Sequence, residues 1–221
     1  MIKAAIFDLD GVLIDSEPLW KEAEKKIFKT VGISLTTDMC RQTTGLDCID
    51  TVKHWYNYKP WKGKKQEKLI AEIYSEVINL IKLKGKLRKD VDKVLNIIRE
   101  KGIDTAVASS SPLEIIKTVL HTFKLDKTFS VIHSSEFEKS GKPHPAVYIS
   151  TAKLLGAEPE KCIAFEDSFY GALSAKSARM KVVAILEKED YNNTKFDFVD
   201  LKINSFEEFD EKLLNNINNP I

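Results

Sequence analysis

The sequence predicts an α/β fold: a parallel sheet covered by helices on both faces, with an all-helical segment inserted after the first strand. Three observations lead there. The chain opens on an apolar run, Ile2 to Phe7, broken only by Lys3, that ends abruptly in Asp8-Leu9-Asp10-Gly11. From about Leu87 onward, short apolar runs alternate with helical patterns, the rhythm of parallel strands joined by crossover helices. Between these parts, Ser16 to about Lys84 shows helical periodicity and no convincing strand, a stretch too long for a simple crossover.

The first run has the length of a buried strand, and Gly11 permits the turn that must follow it. Acidic groups at the carboxyl end of a strand lie where open α/β sheets bind their ligands. Asp-Gly is also a common turn signal, so Asp8 and Asp10 on their own leave both readings open. The first helix is expected from Glu17 to about Thr30, with Trp20, Ala23, Ile27 and Val31 on one face, Ser16 as N-cap and Gly32 as stop. Two more follow, from Asp47 to about Tyr58 and from Lys64 to about Lys82; the second carries Leu69, Ile73, Val77, Leu80 and Ile81 at helical spacing.

A helix from Asp90 to Lys101 precedes the strand Ile103 to Ala108, which runs into Ser109-Ser110-Ser111-Pro112. Then come a helix to about Phe123, a short strand around Phe129 to His133 and a helix from Pro145 to Leu155. The strand Cys162 to Phe165 ends in Glu166-Asp167-Ser168 and is followed by a helix from Tyr170 to Ser177 and the strand Lys181 to Ile185. A weak strand around Phe196 to Val199 and a helix from Ser205 close the chain before an Asn-rich tail, Asn215 to Asn219. The expected organisation is a core of residues 1–15 and 85–221 and a helical subdomain of residues 16–84, set over the carboxyl edge of the sheet.

A chain of 221 residues with 43% hydrophobic and 30% charged residues buries an ordinary globular core. A net charge of +1 argues against nucleic acid as a partner and against a membrane surface. The lysine cluster Lys62, Lys64, Lys65 and Lys68 reads as a solvated face. Three scattered cysteines, Cys40, Cys48 and Cys162, form neither a disulfide framework nor a zinc pattern and fit a reducing compartment. With no signal peptide pattern and no apolar span of about 20 residues, a cytoplasmic protein is expected, and a monomer.

Three apolar runs end in polar clusters: Phe7 into Asp8 and Asp10, Ala108 into Ser109 and Ser110, Phe165 into Glu166 and Asp167. As parallel strands they would bring carboxylates and hydroxyls to one edge, a set suited to a hard cation with oxygen ligands such as magnesium. Lys142, in Ser140-Gly141-Lys142-Pro143, leads into a helix at that edge and can hold phosphate oxygens as a point charge. Singly, each has a plainer explanation. The serines or Glu166 and Asp167 could cap the helices that follow, and Lys142 could be an exposed lysine before a turn. Gly141-Lys142 is not a phosphate-binding loop of the Walker type, since Glu136 stands where its first glycine would be. His54 and His121 read as surface or packing residues, and His133 and His144 as neighbours of the edge rather than ligands.

Asp8-Leu9-Asp10-Gly11-Val12-Leu13-Ile14-Asp15-Ser16, Ser109, Lys142-Pro143 and Glu166-Asp167-Ser168 resemble, in order and across the whole chain, the four motifs of the haloacid dehalogenase superfamily. The helical insertion resembles the C1-type cap of its beta-phosphoglucomutase-like branch. Ile14 to Trp20, Pro60-Trp61, Ala108 to Leu113 and Lys142 to Pro145 are similar to branch members acting on hexitol or 2-deoxyglucose 6-phosphates. The resemblance implies a Rossmann-like catalytic core and a magnesium-dependent phosphatase of small sugar or polyol monophosphates, with a small-molecule phosphate monoester as its partner. By the same resemblance Asp8 is the nucleophile that forms an aspartyl-phosphate, and Asp10 is the acid and base. Magnesium is held by Asp8, the Asp10 carbonyl and Asp167, with Glu166 close or in the shell. Ser109, Lys142 and backbone amides near Asp10 and Ser110 bind the phosphoryl oxygens. Trp20 and the Gly45-Leu46-Asp47 turn are expected to touch substrate, with Trp55 the weaker candidate.

Departures narrow the branch. The mutases carry a cap histidine near Trp20, a lysine where Thr44 precedes Gly45 and an arginine near Cys48, and this chain has none of them. Bisphosphate handling needs a second cationic site, which disfavours a mutase. Asp10 disfavours a dehalogenase. A phosphonatase would need a Schiff-base lysine among the cap lysines, and the cap does not otherwise resemble one. A non-catalytic binding protein on this fold would normally lose Asp8, Asp10 or Asp167.

Overall fold

A computed structural model describes residues 1–43 and 45–218; Thr44 and Asn219, both named above, lie outside the described residues. The elements run β1 (Ala4–Phe7), α1 (Glu17–Lys29), α2 (Thr37–Gln42), α3 (Cys48–Tyr58), α4 (Gln66–Lys84), α5 (Val91–Glu100), β2 (Asp104–Ser109), α6 (Leu113–Thr122) and β3 (Val131–Ser134), then α7 (Ala146–Leu154), β4 (Cys162–Glu166), α8 (Phe169–Ser177), β5 (Lys181–Ile185), β6 (Leu201–Ile203) and α9 (Glu211–Asn218). The fold is α/β, with one six-stranded sheet in the order β3-β2-β1-β4-β5-β6 and every neighbouring pair parallel. Strand order reverses about β1: the chain builds outward through β2 and β3 on one side and through β4, β5 and β6 on the other. Such a switch point opens a crevice at the carboxyl ends of the two central strands.

Side chains alternate across the sheet. On one face Ala4, Ile6, Ala106, Ala108, Ala164, Val182 and Ala184 pack with Val147, Tyr148 and Ala152 of α7 and Ala172 and Ala175 of α8. The many alanines let these helices lie close to the strands. The opposite alternation carries the large rings. Phe7 stacks on Phe165 with centroids 4.5 Å apart and meets Phe129 edge-on, while Phe165 also meets Phe206 and Phe209.

The chain divides into two compact units, Met1–Asp15 with the chain from Leu87 onward, and Ser16–Lys86. Within the second, α4 packs on α1 and α3. The Trp61 ring meets Phe28 and Tyr56 edge-on, and its indole donates to the Lys64 carbonyl at 3.0 Å. Lys26 pairs with Glu76 at 2.7 Å and Lys84 with Glu22, tying α1 to α4 at the surface. Among the described residues no helix is long and apolar enough to cross a membrane, and the three cysteines are buried and in no disulfide.

The structure departs from the sequence reading in three places. Ser16 is buried and helical, makes no side-chain cap, and precedes a helix whose first turn holds Pro18 instead. The short helix α2 follows a true cap, with Thr36 Oγ1 accepting from Met39 N, in a stretch whose apolar pattern is too short to read. The last strand is not at Phe196 to Val199. Residues Thr194–Phe196 form a 3₁₀ turn, and both Phe196 and Phe198 turn their rings onto Phe169. Asp200 then starts the ladder, its amide donating to the Val182 carbonyl at 3.0 Å and its carboxylate accepting from Val182 N at 2.8 Å. Aromatic residues that read as strand are used for packing, and Leu201–Ile203 makes the strand.

The fully buried Phe165 ties the ring layer of the core together. Phe165→Ala is expected to destabilise the protein by about 3–5 kcal/mol, read as a lowered urea midpoint by circular dichroism. A change under about 1 kcal/mol would show that the ring layer repacks freely.

Candidate active site

Register assembles the site. Phe7 of β1 pairs with Val107 of β2 and Phe165 of β4. The next residue on each chain therefore stands at one level: Asp8, Ala108 and Glu166. Asp8 is fixed there by its amide, which donates to the Phe165 carbonyl at 3.0 Å. Leu9 to Ile14 turns back on itself, with Leu13 and Ile14 amides donating to the Leu9 carbonyl and Gly11 N to Ile14 O.

Lys142 enters from the loop between β3 and α7. Its ammonium lies 2.6 Å from Glu166 Oε1 and 2.9 Å from Asp8 Oδ1, and donates to the Ala108 carbonyl at 3.3 Å. Asp8 Oδ1 is buried and has no hydrogen-bond partner among the described residues besides this ion pair. Glu166 is fully buried and its oxygens are well supplied. Oε1 also accepts from the Tyr148 hydroxyl at 2.6 Å, and Oε2 accepts from Asp167 N at 3.2 Å and Ser168 Oγ at 3.3 Å. Ser168, not Glu166 or Asp167, caps α8, accepting from Gly171 N at 3.0 Å.

Oxygen atoms of Asp8, Glu166 and Asp167 lie within 4.8 Å of one another. Three carboxylates crowd one ammonium in a place that water reaches poorly. Burial, opposed by Lys142 and aided by the charges of Glu166 and Asp10, pushes the Asp8 carboxyl up to about 7. Burial and the neighbouring Glu166 and Asp8 charges raise Asp167 well above the usual carboxylate range. Burial works against the charge on Lys142, but Asp8 and Glu166 outweigh it and its pKa is raised. An orphaned buried carboxylate oxygen and an oxygen-only donor set with excess negative charge fit a hard divalent cation. Two glycines make room for these groups. A Cβ on Gly11, whose φ is +75°, would fall 1.8 Å from Asp167 Oδ2, and one on Gly171 would fall 2.0 Å from Glu166 Oε1.

The other expected residues are placed as follows. Asp10 is half-buried and its Oδ2 accepts from Ser111 Oγ at 2.6 Å. Ser109 is buried at the end of β2; its Oγ accepts from Ser111 N at 3.0 Å, and no side chain caps α6. Ser110 is exposed. In the helical unit Trp20 is half-buried against the Tyr74 ring, 6.1 Å between centroids. Gly45 takes a φ of +86° and, with Leu46, is exposed. Asp47 caps α3 by accepting from Asp50 N at 2.8 Å. Trp55 is 1% exposed and is core of that unit. His133 pairs with Glu138 at 2.7 Å, and His144 Nδ1 accepts from Ala146 N.

Sequence reasoning missed Tyr148, Ser111 and Gly171. Tyr148 sits on the apolar face of α7, where periodicity reads it as core, and only its hydroxyl betrays a second task. Ser111 was one of three serines before a proline, and Gly171 was hidden inside a helical pattern.

A carboxyl raised in the folded state is a cost that grows with pH. Asp8 contributes its full share of stability below its unfolded value of 3.8, and that share is lost as pH rises to about 7. Asp8→Asn is therefore expected to raise the melting temperature of the EDTA-treated protein by a few degrees at pH 7.5, with the gain fading toward pH 4. Thermal melts across that range check it, and a gain that grows on acidification would contradict it.

The profile of the haloacid dehalogenase-like hydrolases matches residues 5–185. Hexitol phosphatase B of Escherichia coli K12 is 35% identical over 212 residues, 96% of each chain. A phosphorylated carbohydrates phosphatase of Thermotoga maritima is 29% identical over 80% of this chain and 82% of its own. The crystal structure of beta-phosphoglucomutase from Clostridium difficile superposes with a TM-score of 0.85 at 23% identity, covering 99% of this chain and 98% of that one, a likeness of fold. With its buried acidic edge, its parallel sheet and the helical insertion after β1, the chain belongs to the haloacid dehalogenase-like hydrolases, in the beta-phosphoglucomutase-like branch, and is a phosphatase of that family.

Proposed function

We propose that this phosphatase is magnesium-dependent, acts on small sugar or polyol monophosphates of the hexitol or 2-deoxyglucose 6-phosphate type, and works through an aspartyl-phosphate on Asp8. The observation that carries the reading is the meeting of Asp8, Lys142 and Asp167 at one sheet edge, with Ser109 at the end of β2 and Asp10 on the turn after β1. That the 35% identical relative is a hexitol phosphatase supports the substrate class.

Asp8 attacks phosphorus, and the bond to the sugar oxygen breaks as the bond to Asp8 forms. Asp10 gives its proton to the leaving oxygen and then takes one from the water that cleaves the acyl phosphate. Its place two residues after Asp8, past the turn, separates the two tasks. Lys142 and Ser109, with backbone amides near Asp10 and Ser110, hold the phosphoryl oxygens, whose charge dominates this chemistry. Glu166, held by Tyr148 and Ser168, keeps the Lys142 ammonium in place. Asp8, Asp167 and the Asp10 carbonyl would hold magnesium, with Glu166 beside them. When bound, the ion offsets the repulsion between the Asp8 carboxylate and the phosphate dianion. The helical cap, residues 16–84, chooses the substrate through Trp20 and the Gly45-Leu46-Asp47 turn. A mutase is the alternative, and the missing cationic residues near Trp20, Gly45 and Cys48 weigh against it.

A screen over polyol, hexose, pentose and glycolate phosphates with magnesium tests the whole. Release of inorganic phosphate is expected to be fastest from hexitol or hexose 6-phosphates, to need no bisphosphate, and to fall by about 10³-fold or more in Asp8→Asn. Turnover that requires a sugar bisphosphate would favour the mutase, and substantial activity in Asp8→Asn would exclude the covalent route.

Substrate selection has its own test. Trp20→Ala is expected to raise KM for the preferred sugar phosphate by about tenfold or more, an indole's worth of apolar contact, and to leave KM for p-nitrophenyl phosphate within about threefold. Equal losses on both substrates with an unchanged melt would remove Trp20 from substrate recognition.

A further inference from the structure

We infer that Ser111 is a positioning residue for Asp10: its hydroxyl sets where the Asp10 carboxyl stands. The inference rests on the role of Asp10 proposed above. Asp10 is half-buried on a turn past the end of β1.

Ser111 is built to serve as a fixed point. It is 5% exposed, and its backbone is pinned on both sides. Its amide donates to Ser109 Oγ at 3.0 Å, and its carbonyl accepts from Ser134 Oγ at 2.7 Å. Ser134 is fully buried at the end of β3 and also accepts from Glu136 N at 3.1 Å, so it is itself held. Pro112 follows, with its φ fixed by the ring, and α6 starts at Leu113. From this anchor the Ser111 hydroxyl reaches Asp10 Oδ2 at 2.6 Å, a short contact across 101 residues of sequence.

The chemistry explains a hydroxyl at this position. In the first half-reaction the proton on Asp10 passes to the sugar oxygen as the P–O bond breaks and the Asp8–phosphorus bond forms. In the second, Asp10 takes a proton from water as the water oxygen bonds to phosphorus and the Asp8–phosphorus bond breaks. Asp10 is thus neutral before the first step, anionic between the two and neutral again after. A serine hydroxyl donates to the anion and accepts from the acid, and so stays bonded in both states. An ammonium or a backbone amide only donates and would favour the anion alone.

The test compares leaving groups. An alkoxide must be protonated to depart, whereas p-nitrophenolate leaves unaided, so only the first kind of substrate reads the acid role in kcat/KM. Ser111→Ala is expected to lose about 10–100-fold in kcat/KM on glucitol 6-phosphate and no more than about threefold on p-nitrophenyl phosphate. With the latter, kcat and KM should fall together and p-nitrophenol should appear in a burst, because the water step has slowed. Ser111→Thr, which keeps the hydroxyl, should restore most of the loss. Equal losses on both substrates, or no loss on either, would overturn the inference. Should Ser111→Ala fail to fold, Ser111→Cys carries the same comparison with a weaker donor, and a uniform loss there would overturn it equally. Failure of the wild-type protein to release phosphate from any ester would instead sink the phosphatase reading and is seen before any variant is made.

Discussion

The site depends on one buried ammonium among too many carboxylates. Lys142 touches Asp8 and Glu166 at ion-pair distance, and Asp167 stands beside them with no ion pair among the described residues. Burying an anion is costly, and a single lysine offsets only part of it. The protein meets the remainder by filling the oxygens of Glu166 with donors, from Tyr148, Ser168 and the Asp167 amide. The deficit is thereby concentrated on Asp8 and Asp167, whose carboxyls are both raised. A carboxyl poised to gain stability from a divalent cation differs physically from one already satisfied, and the structure separates the two within a few ångströms.

The sheet edge was legible because polar residues interrupt apolar runs only where strands end. Phe7-Asp8, Ala108-Ser109 and Phe165-Glu166 are each a buried residue followed by one that burial penalises, and register puts Asp8 and Glu166 at one level with Ser109 one residue beyond it. The shared edge of Asp8, Ser109 and Glu166 could therefore be anticipated from three separate stretches. Lys142 was legible as a lysine in a loop that leads into a helix at that edge, but with no period around it only the resemblance separated it from an exposed lysine before a turn. Ser111 was out of reach: its partner is 101 residues away, and no local pattern distinguishes it from Ser110, which is exposed.

The misplaced last strand shows the limit from the other side. Phe196 and Phe198 satisfy strand propensity, yet their rings are committed to Phe169 across α8. What starts β6 is Asp200, a poor strand former that bonds Val182 through both its backbone and its carboxylate. Tertiary contact overrides propensity at the edge of a sheet, where only one neighbour enforces the ladder.

Two glycines complete the account of why the acidic edge holds together. Gly11 reads from sequence as a turn residue, and its positive φ agrees, but the space beside it is already taken by the Asp167 carboxylate. Gly171 has no such conformational need. It sits in α8, where glycine costs about 1 kcal/mol relative to alanine, and a methyl group there would strike the Glu166 carboxylate. The helix gives up that stability because its first turn must pass close to a fully buried anion. The same approach lets Ser168, the cap of α8, donate to Glu166 and accept from Gly171 N at once. The close packing of α8 against β4 is therefore part of the electrostatics: it brings donors to Glu166, which in turn holds Lys142 against Asp8.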